Sequence, residues 1–339
     1  MTAFVIAEIG PNHNGSLEIA LEMVKRLALS GADAIKFQLA DPEAVYSADA
    51  FKAEYQKQND GAGSVIEMSR RLQLPQDAHR QLQQACAKMD ILYLCTAFDL
   101  GSLEFLDQAL NVPRFKVGSG ELLTIDMLEY MAHRQKPVIL STGMANFDEI
   151  ASSLAVLTSE GLKDITLLHC VSNYPSPHAD MNLLAIPELA KQFRCKVGFS
   201  DHSLGAESCL AAVALGAQVI EKHVTLDKNM PGPDHNASAT IEEFYSMVAS
   251  IRRVEAALGN AQKTFSATEE GIRRMARKSI VTARDIPAGA RIEKADLVFK
   301  RPGTGLSPLL RDRVIGTTAR RDLAADRVIH PGDIEGIVL

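Results

Sequence analysis

Short apolar segments alternate with amphipathic segments along the first three-quarters of the chain. The apolar segments are rich in β-branched residues and end in polar ones, which is typical of buried parallel strands. The predicted strands are Phe4–Glu8, Ala34–Gln38, Leu92–Thr96, Arg114–Val117, Val138–Ser141, Ile165–His169, Val197–Ser200 and Val219–His223. Eight strands that alternate with helices predict an α/β fold in which a parallel sheet closes into a (β/α)8 TIM barrel.

The helical segments support this interpretation. After the first strand we predict a helix that Ser16 caps and Gly31 ends. Its apolar face consists of Leu17, Leu21, Val24 and Ala28. The last barrel helix is predicted over Ile241–Leu258. An open, doubly wound sheet is the alternative, but no GxGxxG motif follows the first strand.

The pattern changes after residue 260. We predict a TIM-barrel domain over residues 1–260, a polar helical linker over 261–277 and a small β-rich domain over 278–339. In the small domain, residues 284–297 resemble residues 321–334, which predicts a pseudo-symmetric module. Its core would be small, so we expect it to pack on the barrel or on a second subunit.

Composition excludes several classes of protein. The chain has 46% hydrophobic and 23% charged residues, an ordinary globular balance, and its net charge of −6 argues against a nucleic-acid partner. No apolar run reaches the roughly 20 residues that span a bilayer, so no membrane partner is expected. The N-terminus lacks the basic region of a signal peptide, and five scattered cysteines form no CxxC pair. We therefore expect a cytoplasmic protein with reduced thiols.

Polar side chains collect where the predicted strands end, which is where barrel enzymes carry their chemistry. They are Glu8, Lys36, Gln38, Thr96, Lys116, Ser119, Glu121, Ser141, His169, Ser200, Asp201, His202, Glu221, Lys222 and His223. Lysine is seldom buried without a partner, so Lys36 and Lys116 need an anion. With three serines they could hold a phosphate and a carboxylate, or each could pair with a structural carboxylate.

His202 and His223 end consecutive strands and would point towards the same mouth of the barrel. Two neutral imidazoles suit a divalent metal such as Mn²⁺, Co²⁺ or Zn²⁺, with water or substrate completing its shell. Glu8 and Glu121 are the candidates for proton transfer. Of the other histidines, His79 and His133 are predicted on the surface and His13 and His235 in loops at the mouth; His169 stays undecided between core and site.

Several segments carry a family pattern in the right order along nearly the whole chain. They are AEIGPNHNGSLE (7–18), GADAIKFQ (31–38), KAEYQ (52–56), KVGSGELL (116–123), LSTGM (140–144), NYPSPHAD (173–180), GFSDHSLG (198–205) and IEKHVTLDKNMPGPDHNAS (220–238). Together they resemble the sialic acid synthase family. The segments ARKSIVTARDIPAG (276–289) and KRPGTGLSP (300–308) resemble the antifreeze-like (SAF) module of those enzymes.

The resemblance implies a transferase that condenses phosphoenolpyruvate with N-acetylmannosamine, or a related N-acetylated hexose, and water. The products would be N-acetylneuraminate, or a related nonulosonic acid, and phosphate. The motifs are closer to the neuraminic and legionaminic types than to the pseudaminic type, so a legionaminic acid synthase is the alternative. The resemblance also implies a domain-swapped homodimer, in which one subunit's SAF module covers the barrel mouth of the other.

Residue roles follow from the same resemblance. His202 and His223 would hold the divalent metal, typically Mn²⁺, and Glu8 and Glu121 would orient sugar or water and move protons. The residues that would bind phosphoenolpyruvate are Lys36, Lys116, Ser119, Ser141 and Ser200, with Gln38 and Thr96 nearby. Those that would contact the sugar are Tyr174, Asp234 and, from the neighbouring subunit, Arg301.

Two other functions remain open from the sequence. A Schiff-base pyruvate aldolase would use Lys36 or Lys116 as nucleophile and would need no metal. A non-catalytic carbohydrate- or ice-binding protein is suggested by the antifreeze-like tail, although a shared fold does not establish a shared function. A binding module has no need of both a metal pair and an anion pocket, which favours the enzyme.

Overall fold

The computed structural model describes residues 2–337 and divides into two compact units between Gly259 and Asn260. In the first unit, the parallel strands are β1 (Phe4–Glu8), β2 (Ala34–Leu39), β3 (Leu92–Ala97), β4 (Phe115–Val117), β5 (Val138–Ser141), β6 (Ile165–Cys170), β7 (Lys196–Asp201) and β8 (Val219–Thr225). Glu8 of β1 lies opposite Lys36 of β2 on one side and opposite His223 of β8 on the other. The sheet is therefore closed, which confirms the barrel and excludes the open sheet.

Helices surround the barrel: α1 (Leu17–Leu27), α5 (Gln76–Lys88), α6 (Leu100–Glu104), α7 (Ile125–Arg134), α8 (Phe147–Thr158), α9 (Ala185–Phe193), α10 (Glu207–Ala214) and α11 (Ile241–Leu258). Three short helices in the connection between β2 and β3 lie at the mouth instead: α2 (Pro42–Val45), α3 (Glu54–Asp60) and α4 (Val65–Leu72). Ser16 caps α1 by accepting a hydrogen bond from the Ile19 amide, as predicted. The helix ends at Leu27, before Gly31, whose φ of +79° turns the chain towards β2.

Strand alternation decides which side chains reach the barrel axis, because successive residues point to opposite faces. The floor of the interior is apolar and consists of Ile6, Ala34, Leu94, Ile139, Leu168 and Val219. On β7 the corresponding position is Gly198, where an added Cβ would lie 2.4 Å from the Val219 carbonyl oxygen. The interior positions nearer the mouth, two residues further along each strand, are mostly polar, so the site rests directly on this floor.

The second unit contains a connector and a β-rich module. Its elements are α12 (Glu270–Ala276), β10 (Ser279–Thr282), β11 (Leu297–Lys300) and α13 (Arg311–Val314), whereas a short β9 (Ala239–Thr240) pairs with β8 in the first unit. The amide of Gly303 donates to the Arg274 carbonyl at 2.7 Å, so the connector packs within this unit. No helix among residues 2–337 has the length and apolarity needed to cross a membrane.

The predicted internal repeat of the module is visible in its contacts. Asp285 accepts a hydrogen bond from the Ala325 amide at 2.7 Å, and Asp322 accepts the equivalent bond from the Ala288 amide at 2.8 Å. Each copy also contains an arginine–aspartate ion pair in the same place: Arg284–Asp296 and Arg321–Asp333. The two halves therefore hold each other through reciprocal polar contacts around a small apolar core.

Candidate active site

A cavity of about 300 Å³, here called the central cavity, lies at the C-terminal ends of the barrel strands. Ten of the predicted site residues line it: Lys36, Gln38, Thr96, Lys116, Ser119, Ser141, Tyr174, Ser200, His202 and His223. They come from six of the eight strands and from the loops that follow them. Sequence positions more than 180 residues apart therefore form one polar surface, as strand-end chemistry in a barrel requires.

The two lysines on the cavity wall are balanced by carboxylates. The Lys36 ammonium lies 3.0 Å from Glu8 Oε2 and donates to Thr96 Oγ1 at 3.0 Å. Glu221 lies between the lysines, 3.6 Å from Lys36 Nζ and 3.9 Å from Lys116 Nζ. Burial lowers the pKa of Lys36, but Glu221 and Glu8 outweigh it and hold that pKa above its usual value. The two lysines therefore have structural carboxylate partners and also face the cavity in which an anion could bind.

Lys116 is the less compensated of the two lysines. Its ammonium donates to Ser141 Oγ at 2.7 Å and to the Val117 carbonyl at 3.0 Å. Burial lowers the pKa of this lysine. Glu221, 3.9 Å away, raises that pKa but does not fully oppose the effect of burial. A phosphate or carboxylate beside Lys116 would supply the charge partner that the protein provides only at a distance.

Hydroxyl and backbone groups complete the polar wall beside Lys116. Ser119 Oγ accepts a hydrogen bond from the Gly143 amide at 3.0 Å and lies 3.1 Å from Cys170 Sγ. An added Cβ on Gly143 would lie 2.3 Å from Ser172 Oγ, so only glycine fits between these groups. On the other side, Ser200 Oγ donates to Glu221 Oε1 at 3.0 Å. The serines therefore border both ends of the lysine pair.

His202 and His223 lie side by side, with ring centroids 5.3 Å apart and ring planes at 67°. His202 Nδ1 lies 2.7 Å from the Val171 carbonyl oxygen, which can only accept, so Nδ1 carries the proton and Nε2 is left with a free lone pair. Burial lowers the pKa of His202 to about 4 and that of His223 well below its usual range, so both rings are neutral.

This pair fits a divalent metal. His223 Nδ1 is buried without a hydrogen-bond partner among the described residues, and Asp234 Oδ2 lies 3.5 Å from it. Neutral imidazoles with free lone pairs are ligands for Mn²⁺, Co²⁺ and Zn²⁺. Within residues 2–337, no group of three or more His, Cys, Asp or Glu side chains is arranged to hold a metal ion. Water and substrate oxygens would therefore have to complete the coordination shell.

Two carboxyl groups beside the central cavity have pKa values near neutrality. Burial raises the pKa of Glu8 to about 7, although Lys36 opposes the shift. Burial also raises the pKa of Glu121 to about 7, and its Oε2 is buried without a hydrogen-bond partner in the described part of the chain. Groups with such pKa values can both accept and release a proton at neutral pH.

Asp234 lies in a neighbouring cavity of about 200 Å³, here called the side chamber. Gln38, Tyr174 and His223 line both cavities, so the chamber lies against the histidine side of the central cavity. Burial raises the pKa of Asp234 to about 7. The chamber is also lined by Val45, Tyr46, Met68, Leu72, Phe98 and Gln73. It offers an apolar wall with polar groups at its edges.

Arg301 lies in the second unit, in a groove that it shares with Lys300 and Arg327. Its predicted contact with a neighbouring subunit's sugar stays a prediction.

Tyr174 lies over both histidines, with ring centroids 4.1 Å from His202 and 5.6 Å from His223. Tyr174, which is predicted to contact the sugar, therefore lies beside the two histidines that are the candidate metal ligands.

The structure shows where four of the other histidines lie. The surface prediction for His79 is wrong: the ring is buried and lies 2.8 Å from the Tyr93 hydroxyl, because α5 turns it towards the barrel. His133 is exposed, as predicted. His169 points out of the barrel, where it stacks on Phe199 and bonds the Met181 carbonyl, so it belongs to the core. His235 bonds Thr225 and holds its loop.

Two residues in the site were given no role by the sequence. Glu221 is the first: it is among the polar side chains at the predicted strand ends, and its position two residues before His223 puts it on the inner face of β8. Tyr55 of α3 is the second: its ring lies 5.2 Å from that of Tyr174, and it lines both cavities. The KAEYQ motif contained Tyr55, but nothing in the local pattern indicated that α3 lies over the mouth.

The comparisons with known proteins agree with this geometry. The NeuB family model matches residues 23–263, and the SAF domain model matches residues 277–335. The N,N'-diacetyllegionaminic acid synthase of Legionella pneumophila is 42% identical over 96% of this chain and 92% of that protein. The human N-acetylneuraminate-9-phosphate synthase is 36% identical over 84% of this chain and 79% of that protein.

A solved structure gives the same result. The N-acetylneuraminic acid synthetase of Leptospira borgpetersenii, in complex with citrate, superposes with a TM-score of 0.72 at 33% identity. The match covers 80% of this chain and 90% of that one. The predicted resemblance is thereby confirmed over both parts of the chain. The protein is an enzyme of the NeuB family with a C-terminal SAF domain.

Proposed function

We propose that this enzyme condenses phosphoenolpyruvate with the open-chain form of an N-acetylated hexose. Carbon 3 of phosphoenolpyruvate forms the new bond to the aldehyde carbon, water adds at carbon 2, and phosphate leaves. The products are a nine-carbon 2-keto acid and inorganic phosphate. The observation that carries the proposal is a lysine- and serine-lined pocket that also contains two neutral histidines.

Phosphoenolpyruvate binds at the lysine side of the central cavity. Lys116 has hydrogen-bond partners but no close carboxylate, so an anion there replaces the charge that Glu221 supplies from 3.9 Å. Lys36 and the hydroxyls of Ser119, Ser141 and Ser200 surround the same space. Because these groups are buried, each interaction with an anion is stronger than it would be in water.

His202 and His223 would hold a divalent metal, most plausibly Mn²⁺. When bound, the metal supplies a Lewis acid for the aldehyde oxygen of the sugar. The protein contributes the fixed orientation of the ligands: the Val171 carbonyl fixes the tautomer of His202, and Tyr174 covers both rings.

Glu8 and Glu121 carry the proton transfers. One carboxylate accepts the proton of the water that adds at carbon 2, and the other, protonated, donates to the alkoxide that forms from the aldehyde. The pKa values of about 7 of both groups suit this exchange, since each form is populated at neutral pH. No covalent nucleophile takes part.

For the sugar, we favour a 2,4-diacetamido-6-deoxyhexose, which makes the product a legionaminic acid. Two observations support this choice. The legionaminic acid synthase of L. pneumophila is more similar to this chain, at 42% identity, than the human N-acetylneuraminate-9-phosphate synthase, at 36%. The side chamber also presents Val45, Met68 and Leu72 beside its polar groups, and these apolar side chains can contact a deoxy methyl group. N-acetylmannosamine is the second candidate, because the motifs also resemble the neuraminic type.

A homodimer would complete the site. Several exposed apolar side chains lie in or directly after the loops that follow β4, β5 and β6: Leu123, Ile125, Met144 and Leu184. Exposed apolar side chains at one end of a barrel suit a surface that another protein covers. We propose that the SAF domain of a second copy covers it and brings Arg301 to the N-acetyl group of the sugar.

A phosphate-release assay tests the proposed function. Phosphoenolpyruvate and Mn²⁺ are mixed with N-acetylmannosamine or with a 2,4-diacetamido-6-deoxyhexose, and both kcat/KM values are compared. We expect metal-dependent release that EDTA abolishes, with the higher kcat/KM for the diacetamido sugar. Activity that survives EDTA, together with covalent trapping by pyruvate and borohydride, would instead support the Schiff-base aldolase. No phosphate release with either sugar would support a binding protein.

A further inference from the structure

A buried ion pair lies on the outside of the barrel, directly behind the two histidines. On β7 and β8 the alternation of side chains points His202 and His223 inwards and the preceding residues, Asp201 and Lys222, outwards. Asp201 and Lys222 face each other in the register of the two strands. Each is 1% exposed, and Lys222 Nζ lies 2.7 Å from Asp201 Oδ2. The reaction proposed above uses neither residue.

The pair forms a clamp around His202. Asp201 Oδ1 accepts from the Ser203 amide at 2.9 Å and from the Ser203 hydroxyl at 2.7 Å, while Lys222 also donates to the Ser203 carbonyl. Cys209 of α10 adds a contact from its thiol to Asp201 Oδ2 at 3.2 Å. The residues on both sides of His202 are therefore fixed to the residue that precedes His223.

Stability alone does not account for these charges. Replacement of a buried ion pair by apolar residues of similar size is often neutral or stabilising, because burial of two charges costs about as much as their attraction returns. Phe199, Ile220 and Val213 belong to the apolar core outside the strands, and buried Ser203 and Ser208 are polar neighbours of the pair. A buried pair can, however, hold two elements in one arrangement.

We propose that Asp201 and Lys222 are positioning residues that set the separation and orientation of His202 and His223 for a divalent metal. The inference rests on the proposed metal site and extends it to residues that touch neither metal nor substrate. The clamp fixes the backbone on both sides of His202, and the bond from His202 Nδ1 to the Val171 carbonyl then fixes its ring. His223 follows Lys222 directly, so the same ion pair fixes the second ligand.

The test measures metal binding rather than turnover. Mn²⁺ is titrated calorimetrically into the full-length, metal-free protein and into Asp201→Leu/Lys222→Met, which removes both charges. A second variant, Asp201→Asn, keeps the side-chain shape and an oxygen that can accept from Ser203, and it removes only the charge that Lys222 faces. The control is Asp107→Leu/Lys136→Met, which removes another ion pair with the same 2.7 Å separation; Asp107 is buried and Lys136 is partly exposed, and the two residues lie in the segments that precede β4 and β5. Thermal unfolding in EDTA shows how far each variant is destabilised.

We expect both Asp201 variants to bind Mn²⁺ at least about tenfold more weakly than the unaltered protein, as changes around metal ligands usually do. The Asp107 control should bind Mn²⁺ normally whatever its thermal stability. Unchanged affinity in the Asp201 variants, or an equal loss in the control, would overturn the inference while leaving the metal site intact. If the unaltered protein does not bind Mn²⁺, the proposed metal site itself is wrong and the inference is overturned with it.

Discussion

Replacement of Glu221 by glutamine tests whether charge balance organises the central cavity. Glu221 is buried, and its two oxygens face Lys36 at 3.6 Å and Lys116 at 3.9 Å. The two lysines together hold the pKa of Glu221 below its usual value, although burial alone would raise it. Glu221→Gln keeps the shape and the bond from Ser200 but removes the charge that the lysines share.

The expected loss of stability follows from these distances. At an effective dielectric constant of about 20, each contact is worth roughly 4 kcal/mol before desolvation is counted. Removal of one partner from a buried ion pair typically costs about 3–5 kcal/mol, since the other charge stays buried. For a domain of this size, about 2–4 °C is lost per kcal/mol, so the melting temperature of the free protein should fall by roughly 10 °C.

Anions should reverse much of this loss. In the variant, the lysine pair loses the carboxylate that its two members share, and Glu8 remains beside Lys36, so the cavity has gained positive charge and inorganic phosphate should bind more tightly. Binding to the folded state raises its stability by RT ln(1 + [L]/Kd), so phosphate should raise the melting temperature of the variant more than that of the unaltered protein. Phosphoenolpyruvate should act in the same way, while turnover falls.

Differential scanning fluorimetry with and without phosphate measures these effects. Glu188→Gln is the control, because Glu188 is half-exposed and its ion pair with Lys191, at 3.3 Å, lies on the surface of α9. That change should leave both melting temperatures as they are. If Glu221→Gln has the stability of the unaltered protein and gains nothing from phosphate, the reasoning from charge balance is refuted.

Three further results are expected. His202→Ala and His223→Ala should each abolish Mn²⁺ binding and turnover; calorimetry that finds normal binding in either variant would contradict the ligand assignment. Because burial raises the pKa of Glu8 to about 7, this carboxyl gains negative charge above pH 7 and competes with an anion for Lys36, so the KM for phosphoenolpyruvate should rise above pH 7. Glu8→Gln should flatten that rise, and an equal rise in both proteins would exclude Glu8 as its source. Arg301→Ala should raise the KM for the sugar and leave that for phosphoenolpyruvate unchanged, whereas the opposite pattern in steady-state kinetics would place Arg301 elsewhere.

The barrel and most of the site could be predicted because both depend on short-range pattern. Strand length and alternation are local properties, and the closure of eight strands brings their ends together whatever the loops do. Lys36, Lys116, Ser141 and the two histidines therefore line one cavity, as predicted. The ends of β7 and β8 extend one or two residues beyond the predicted ends, because pairing continues into the mouth.

The failures come from contacts between distant segments. His79 was predicted on the surface from its polarity, but Ala78, Leu82 and Cys86 form an apolar stripe with it on α5, and Tyr93 supplies the polar partner. The stripe is visible in the sequence, whereas the partner is not. Tyr55 was missed for a similar reason: the position of α3 over the mouth depends on Asn59, which bonds the Pro233 carbonyl across the barrel.

The alternation of strand positions also separates two kinds of buried polar group. Outside the barrel, Asp201 and Lys222 have their hydrogen bonds satisfied by neighbouring protein groups. At the mouth, Glu121 Oε2, Glu221 Oε2 and His223 Nδ1 are buried without hydrogen-bond partners in the described residues. Such atoms destabilise a folded protein unless another group meets them, so the three that border the central cavity are candidates for contact with bound ligands. In our proposal, the outer pair positions the histidines and the inner atoms contact substrates and metal.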